Sequence, residues 1–88
     1  MATNTNVNVN QVAVLGGANN DGVKIGYIDS AAKAAQNDTW TLKNVSEIKF
    51  IVVTDDSAGT ADDVTISSNV VTLTGAATGA ASAFVVYR

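Results

Sequence analysis

The stretch "DVTISSNVVTLT", residues 63–74, decides the fold. In "DVTIS", Val64 and Ile66 alternate with Thr65 and Ser67. In "VVTLT", Val71 and Leu73 stand opposite Val70, Thr72 and Thr74. Successive side chains of a strand point to opposite faces, so each run predicts a half-buried strand. The "SSN" between them is short and made of turn formers, so residues 63–74 read as a β-hairpin.

The same period of two recurs on either side. In "EIKFIVVT" (47–54), Ile48, Phe50 and Val52 fall on one face and Glu47, Lys49, Ile51 and Val53 on the other. Its second half is apolar on both faces, as expected of a central strand or one covered by another subunit. "SAFVVYR" (82–88) predicts a last strand with Phe84 and Val86 facing away from Ala83, Val85 and Tyr87. "VKIGYI" (23–28) and "DTWTL" (38–42) are further strands, the latter rich in residues that suit a pleated surface. "NNDG" (19–22) marks a turn, across which "VAVLGG" and "GVKIGYI" can pair as a hairpin with a longer loop. Only "DSAAKAAQ" (29–36) has helical composition, with Asp29 or Ser30 as a cap. It is short and lacks an apolar stripe, so a single turn or an irregular connection is expected. "GAATGAASA" (75–83) reads as a small-residue linker, flexible or closely packed against a neighbour. The fold class is all-β: a small antiparallel β-sandwich or barrel-like domain of about six to eight short strands.

The opening "TNTNVNVN" (3–10) places Thr3, Thr5, Val7 and Val9 on one face of an extended segment and Asn4, Asn6, Asn8 and Asn10 on the other. The apolar phase then changes, since Val12 and Val14 sit at even positions. A bulge or bend near Asn10-Gln11, or two separate elements, would account for the change. Residues 1–10 are read as an extended N-terminal arm able to add a strand to a neighbour's sheet, with a disordered terminus or an ordinary first strand as the alternatives, and residues 11–88 as one β-sandwich domain.

With 88 residues, 47% of them hydrophobic, the chain can form one domain with a modest core. It has no Cys, so disulfides cannot reinforce it, and no His, which removes the usual zinc ligand and general base. Oligomerisation is the remaining aid to so small a core. The basic residues are Lys24, Lys33, Lys43, Lys49 and Arg88, scattered within a net charge of −3. Binding nucleic-acid phosphates calls for converging cations, so nucleic acid is not an expected partner. No apolar run approaches the ~20 residues of a membrane span, and no secretory signal is visible at the N-terminus.

The acidic residues gather in "TDDSAGTADD" (54–63), where Asp55, Asp56, Asp62 and Asp63 flank a Gly-containing loop. Such oxygen ligands suit Ca²⁺, but the spacing is not that of an EF-hand loop and no Glu closes it. A solvated turn that discourages edge pairing is the favoured reading, with a cation site as the alternative. Paired carboxylates of a glycosidase would need a cleft between them, and these four share one polar loop. No G-x-S-x-G element is present. No catalytic residue and no cofactor are assigned, and an enzyme is not expected. Trp40, the only Trp, is a candidate sugar-contacting aromatic, although a lone Trp in a small sandwich is more often core or interface. Ile51 and Val53 join Thr3, Thr5, Val7 and Val9 as expected interface residues.

The run "NDTWTLKNVSEIKFIVVTDD" and, after it, "DDVTISSNVVTLTGAATGAASAFVVYR" resemble small structural proteins of tailed bacteriophages. In these a D-T-W/V-T strand precedes an aliphatic strand, a "VTxSGNVVTLTG"-like hairpin, a small-residue loop and an apolar last strand. The similarity covers roughly residues 37–88. Ser68 stands where a Gly is common, and "LKNV" where a Pro-Gly pair is common. The resemblance implies a non-enzymatic virion component assembled in the host cytoplasm. Its closest fit is a capsid decoration or cement protein, commonly trimeric, bridging subunits of the major capsid protein. A tail, connector or fibre component, or a carbohydrate- or host-surface-binding module, are the alternatives.

Overall fold

The computed structural model describes residues 2–15 and 22–88. Nine strands form two sheets: β1 (Asn4–Val7), β2 (Asn10–Val14), β3 (Lys24–Lys33), β4 (Asp38–Leu42), β5 (Ile48–Asp55), β6 (Thr60–Asp62), β7 (Val64–Ser67), β8 (Val70–Leu73) and β9 (Gly79–Tyr87). A four-stranded sheet has the order β1-β4-β8-β7 and a five-stranded sheet the order β2-β3-β9-β5-β6. All pairings are antiparallel except that of β1 with β4, which is parallel. Against the six to eight strands expected, the additions are β6 and the use of β1 as a strand of the domain itself.

The β7–β8 hairpin forms as the sequence predicts, pairing Ile66 with Val71 and Ser67 with Val70. Ser68 takes φ 54°, the left-handed conformation a two-residue hairpin loop requires. Val71 and Leu73 are sealed in the core beside Trp40 and Leu42 of the adjoining β4. The facing layer contributes Ile28, Ile48, Ile51, Val53, Ala83, Val85 and Tyr87.

Three segments depart from the simple reading. In β5 a bulge between Ile48 and Phe50 shifts the register against β9. Ile48 therefore faces inward with Ile51 and Val53, whereas Phe50 and Val52 face solvent. Residues 29–33, expected as a turn or connection, continue β3 after a bulge at Asp29-Ser30, where Ser30 takes φ 52°. The turn comes later, at Gln36-Asn37, with Asn37 at φ 71°. The supposed linker 75–83 supplies the start of β9, and the two Ala-rich runs meet: Ala31 opposite Ala81 and Ala32 opposite Ala80. Small side chains lack the alternation that advertises a strand, and mutual pairing compensates for their low strand preference.

The N-terminal stretch read as an outreaching arm lies along its own chain. Thr3 N–H donates to Asp38 Oδ1 at 2.8 Å, and β1 runs beside β4 with Asn4 opposite Thr39 and Val7 opposite Leu42. The Asn residues face outward, and Asn4 Oδ1 accepts hydrogen bonds from the hydroxyls of Thr39 and Thr41. The change of phase marks a crossing between sheets, since β1 belongs to one and β2 to the other. A bulge between Gln11 and Ala13 follows in β2. Strand β2 pairs with β3 as a hairpin; most of the predicted turn at 19–22 lies outside the described residues.

Candidate functional site

Two features stand out from an otherwise ordinary sandwich. The first is polar and sealed inside. Lys33, the last residue of β3, turns inward and is fully buried. Its Nζ lies 2.5 Å from Asp62 Oδ2 on β6 and 2.8 Å from the carbonyl oxygen of Gly75. Asp55 Oδ1, at the end of β5, stands 3.7 Å from the same Nζ. The Gly75 N–H donates to the other oxygen of Asp62, Oδ1, at 2.7 Å. A Cβ on residue 75 would overlap that carboxylate, so the absence of a side chain at Gly75 permits the close approach. Among the described residues Asp55 Oδ1 has no hydrogen-bond partner.

One ammonium and two ionised carboxylates would leave a net negative charge in an apolar interior, a costly state. The two acids are driven apart. Burial, followed by the neighbouring Asp62 carboxylate, pushes Asp55 above the usual carboxylate range. Burial also opposes ionisation of Asp62, but hydrogen bonds from Lys33 and the Gly75 N–H outweigh it and hold Asp62 below that range. The group is consistent with one ammonium, one carboxylate and one neutral carboxylic acid.

The four aspartates proposed as a cation site thus separate. Asp55 and Asp62 converge, but the charge between them is the chain's own Lys33. Asp56 is exposed and accepts from the Ser30 hydroxyl at 2.8 Å and the Ser82 hydroxyl at 2.9 Å. Asp63 lies exposed beside them in sequence, its carbonyl bonded by Thr74. No group of three or more acidic side chains positioned to hold a metal is present among the described residues.

Residues 30–33 read Ser-Ala-Ala-Lys, the S-x-x-K spacing of acyl-transferring Ser–Lys pairs. The strand conformation separates the two: Ser30 is exposed and bonded to Asp56, while Lys33 is buried at Asp62. A buried cation, though not the residue that supplies it, follows from the facing of β5. Asp55 continues the inward phase of Ile51 and Val53, an acidic residue at a core position that calls for a buried cation.

The second feature is apolar and outward. On the solvent face of the five-stranded sheet, Tyr27 pairs with Phe84 and Phe84 with Val52, while Ile25 pairs with Val86 and Val86 with Phe50. Tyr27, Phe50, Val52 and Phe84 are each 45–51% exposed. A shallow depression of about 280 Å³ lies among Tyr27, Val52, Thr54, Ser82 and Phe84. Its acidic rim is Asp29.

The expected interface residues face elsewhere. Ile51 and Val53 point into the sandwich, at 7% and 1% exposure. Val7 is buried in the core, Val9 packs against it, Thr5 is half-buried and Thr3 is exposed. Trp40 is fully enclosed, its Nε1–H donating to the Ala32 carbonyl at 2.9 Å, so no aromatic platform is available there for a sugar. Among the described residues no helix is long and apolar enough to cross a membrane. Comparison with protein-family models, curated proteins and solved structures finds no match for this chain.

Proposed function

We propose that the protein is a non-enzymatic structural component of a phage virion, a capsid decoration or cement protein that packs against the shell. The resemblance of residues 37–88 supplies the setting. The observation that carries the docking role is the apolar outer face formed by Ile25, Tyr27, Phe50, Val52, Phe84 and Val86. The outward face of an antiparallel sheet is ordinarily polar, and contiguous exposed apolar surface marks an interaction site. Aromatic anchors at the centre of such a patch, with a polar rim, have the composition of a protein interface.

The occupant is the major capsid protein rather than a second copy bound face to face. Such a copy would bring together two acidic rims on chains of net charge −3. A shell surface with an apolar centre and a cation opposite Asp29 avoids that repulsion. Trimers of the chain on the shell would present three such faces. The test is copy number and co-sedimentation in purified virions: many copies per particle are expected, and Phe84→Lys should retain the fold but lose the particle. A few copies per particle, or unchanged co-sedimentation of that variant, would overturn the proposal.

A further inference from the structure

A primary amine, a carboxylate and a neutral carboxylic acid sealed together in a protein core are the components of an amide condensation. We propose that Lys33 and Asp62 form an intramolecular isopeptide bond, joining Nζ to Cγ and stapling β3 to β6, with Asp55 carrying the proton.

The geometry supplies what the reaction needs. With Nζ 2.5 Å from Oδ2, the amine is in contact range of Cγ, one covalent bond further on. Fixed juxtaposition of this kind replaces a bimolecular encounter. The Gly75 N–H, 2.7 Å from Oδ1, is placed to stabilise negative charge on that oxygen when Cγ becomes tetrahedral. The Gly75 carbonyl, 2.8 Å from Nζ, holds the amine in place. Asp55 is buried, its Oδ1 lies 3.7 Å from Nζ, and that oxygen has no hydrogen-bond partner among the described residues. Burial and the adjacent Asp62 favour its protonated form, as a proton carrier requires. Side-chain exposures of 0% for Lys33, 0% for Asp62 and 5% for Asp55 exclude bulk water that would hydrolyse the product.

The atoms balance without any further reagent. The ammonium passes a proton to Asp62 Oδ2 within their hydrogen bond, leaving a neutral amine beside a neutral acid. The amine lone pair forms the N–C bond, and the charge that develops on Oδ1 meets the Gly75 N–H. Asp55 donates its proton to the departing Oδ2 hydroxyl and recovers one from nitrogen. The Cγ–Oδ2 bond breaks and one water leaves. Nitrogen keeps one hydrogen, Asp55 ends as it began, and Oδ1 is the amide oxygen, still bonded to Gly75.

Intact mass spectrometry of the purified full-length chain tests the proposal directly and independently of the virion reading. The folded protein should become lighter than its sequence mass by one water. Proteolysis should then yield one branched peptide carrying both Lys33 and Asp62. Asp55→Ala and Lys33→Arg should each stay at full sequence mass. The wild-type readout does not depend on either variant folding. A folded wild-type chain that keeps its full mass after prolonged incubation overturns the proposal. So does a water loss mapped to the succinimide-prone Asp21-Gly22 pair instead of Lys33 and Asp62. Water loss persisting in Asp55→Ala would remove Asp55 from the mechanism.

Discussion

Truncating the two apolar pairs of β5 separates the inside of this domain from its outside. Val53 is 1% exposed and Ile51 7%, whereas Val52 and Phe50 on the same strand are about half exposed. Val53→Ala removes two buried carbon groups, about 1.6 kcal/mol of transfer free energy at ~0.8 kcal/mol for each. The residual cavity raises the cost to about 2–3 kcal/mol, and Ile51→Ala belongs in the range of about 2–5 kcal/mol. For a domain of this size each kcal/mol moves Tm by roughly 4–8 °C, so Val53→Ala should melt about 8–24 °C lower. Val52→Ala should change stability by no more than about 0.5–1 kcal/mol, because half its side chain is already in water. Urea denaturation followed by circular dichroism measures both, with equal m-values confirming comparable unfolding. Binding to capsids should show the reverse order, lost with Phe50→Ala or Val52→Ala and kept with Val53→Ala wherever that variant is folded. A Val52→Ala variant as destabilised as Val53→Ala would refute the bulged register.

Trp40 should emit at short wavelength in the native state and resist quenching by acrylamide; efficient quenching would contradict its enclosure. Ser68→Gly relieves the left-handed conformation of the β7–β8 loop and should stabilise by about 0.5 kcal/mol in urea titration, since strain relief exceeds the entropy glycine adds to the unfolded chain. Hydrogen bonds from Thr3, the largest influence, and from Ala34 and Ala35 hold Asp38 below its usual 3.8 against the opposing effect of burial. Stability from Asp38 is therefore complete above that value and disappears as pH falls through the lower native one. Asp38→Asn should be less stable at neutral pH and should lose less on acidification, read from melting temperature against pH. Removing divalent cations with a chelator should leave the melting temperature unchanged, because Lys33 stands between Asp55 and Asp62; a marked fall would restore a metal to the acidic loop.

Legibility in the sequence followed how each residue meets its neighbours. The β7–β8 hairpin was readable because local alternation and turn chemistry agree, with Val71 and Leu73 inward as the period demands. Period two failed in β5 because one bulge reverses the facing of every later residue, turning Ile51 and Val53 inward. Ala31, Ala32, Ala80 and Ala81 carry no alternation, and their strand character arises from pairing across β3 and β9. The "TNTNVNVN" alternation implies an extended segment, of which Asn4–Val7 form β1, but alternation alone cannot name the partner strand, which is β4 of the same chain. Lys33 stayed hidden because its two acids lie 22 and 29 positions further along and only the tertiary fold gathers them.

The order of the five-stranded sheet has a consequence for biosynthesis. Strand β9 lies between β3 and β5, yet it is made after both. While residues 79–87 are still inside the ribosome, β2–β3 and β5–β6 can exist only as separate hairpins, each marginal alone in water. Sheet formation must await the insertion of β9 into the gap between them, a non-local step expected to be slow. A chain cut short before Gly79 loses the middle of the sheet, so quality control is written into strand order: only a chain extending through β9 can close the domain.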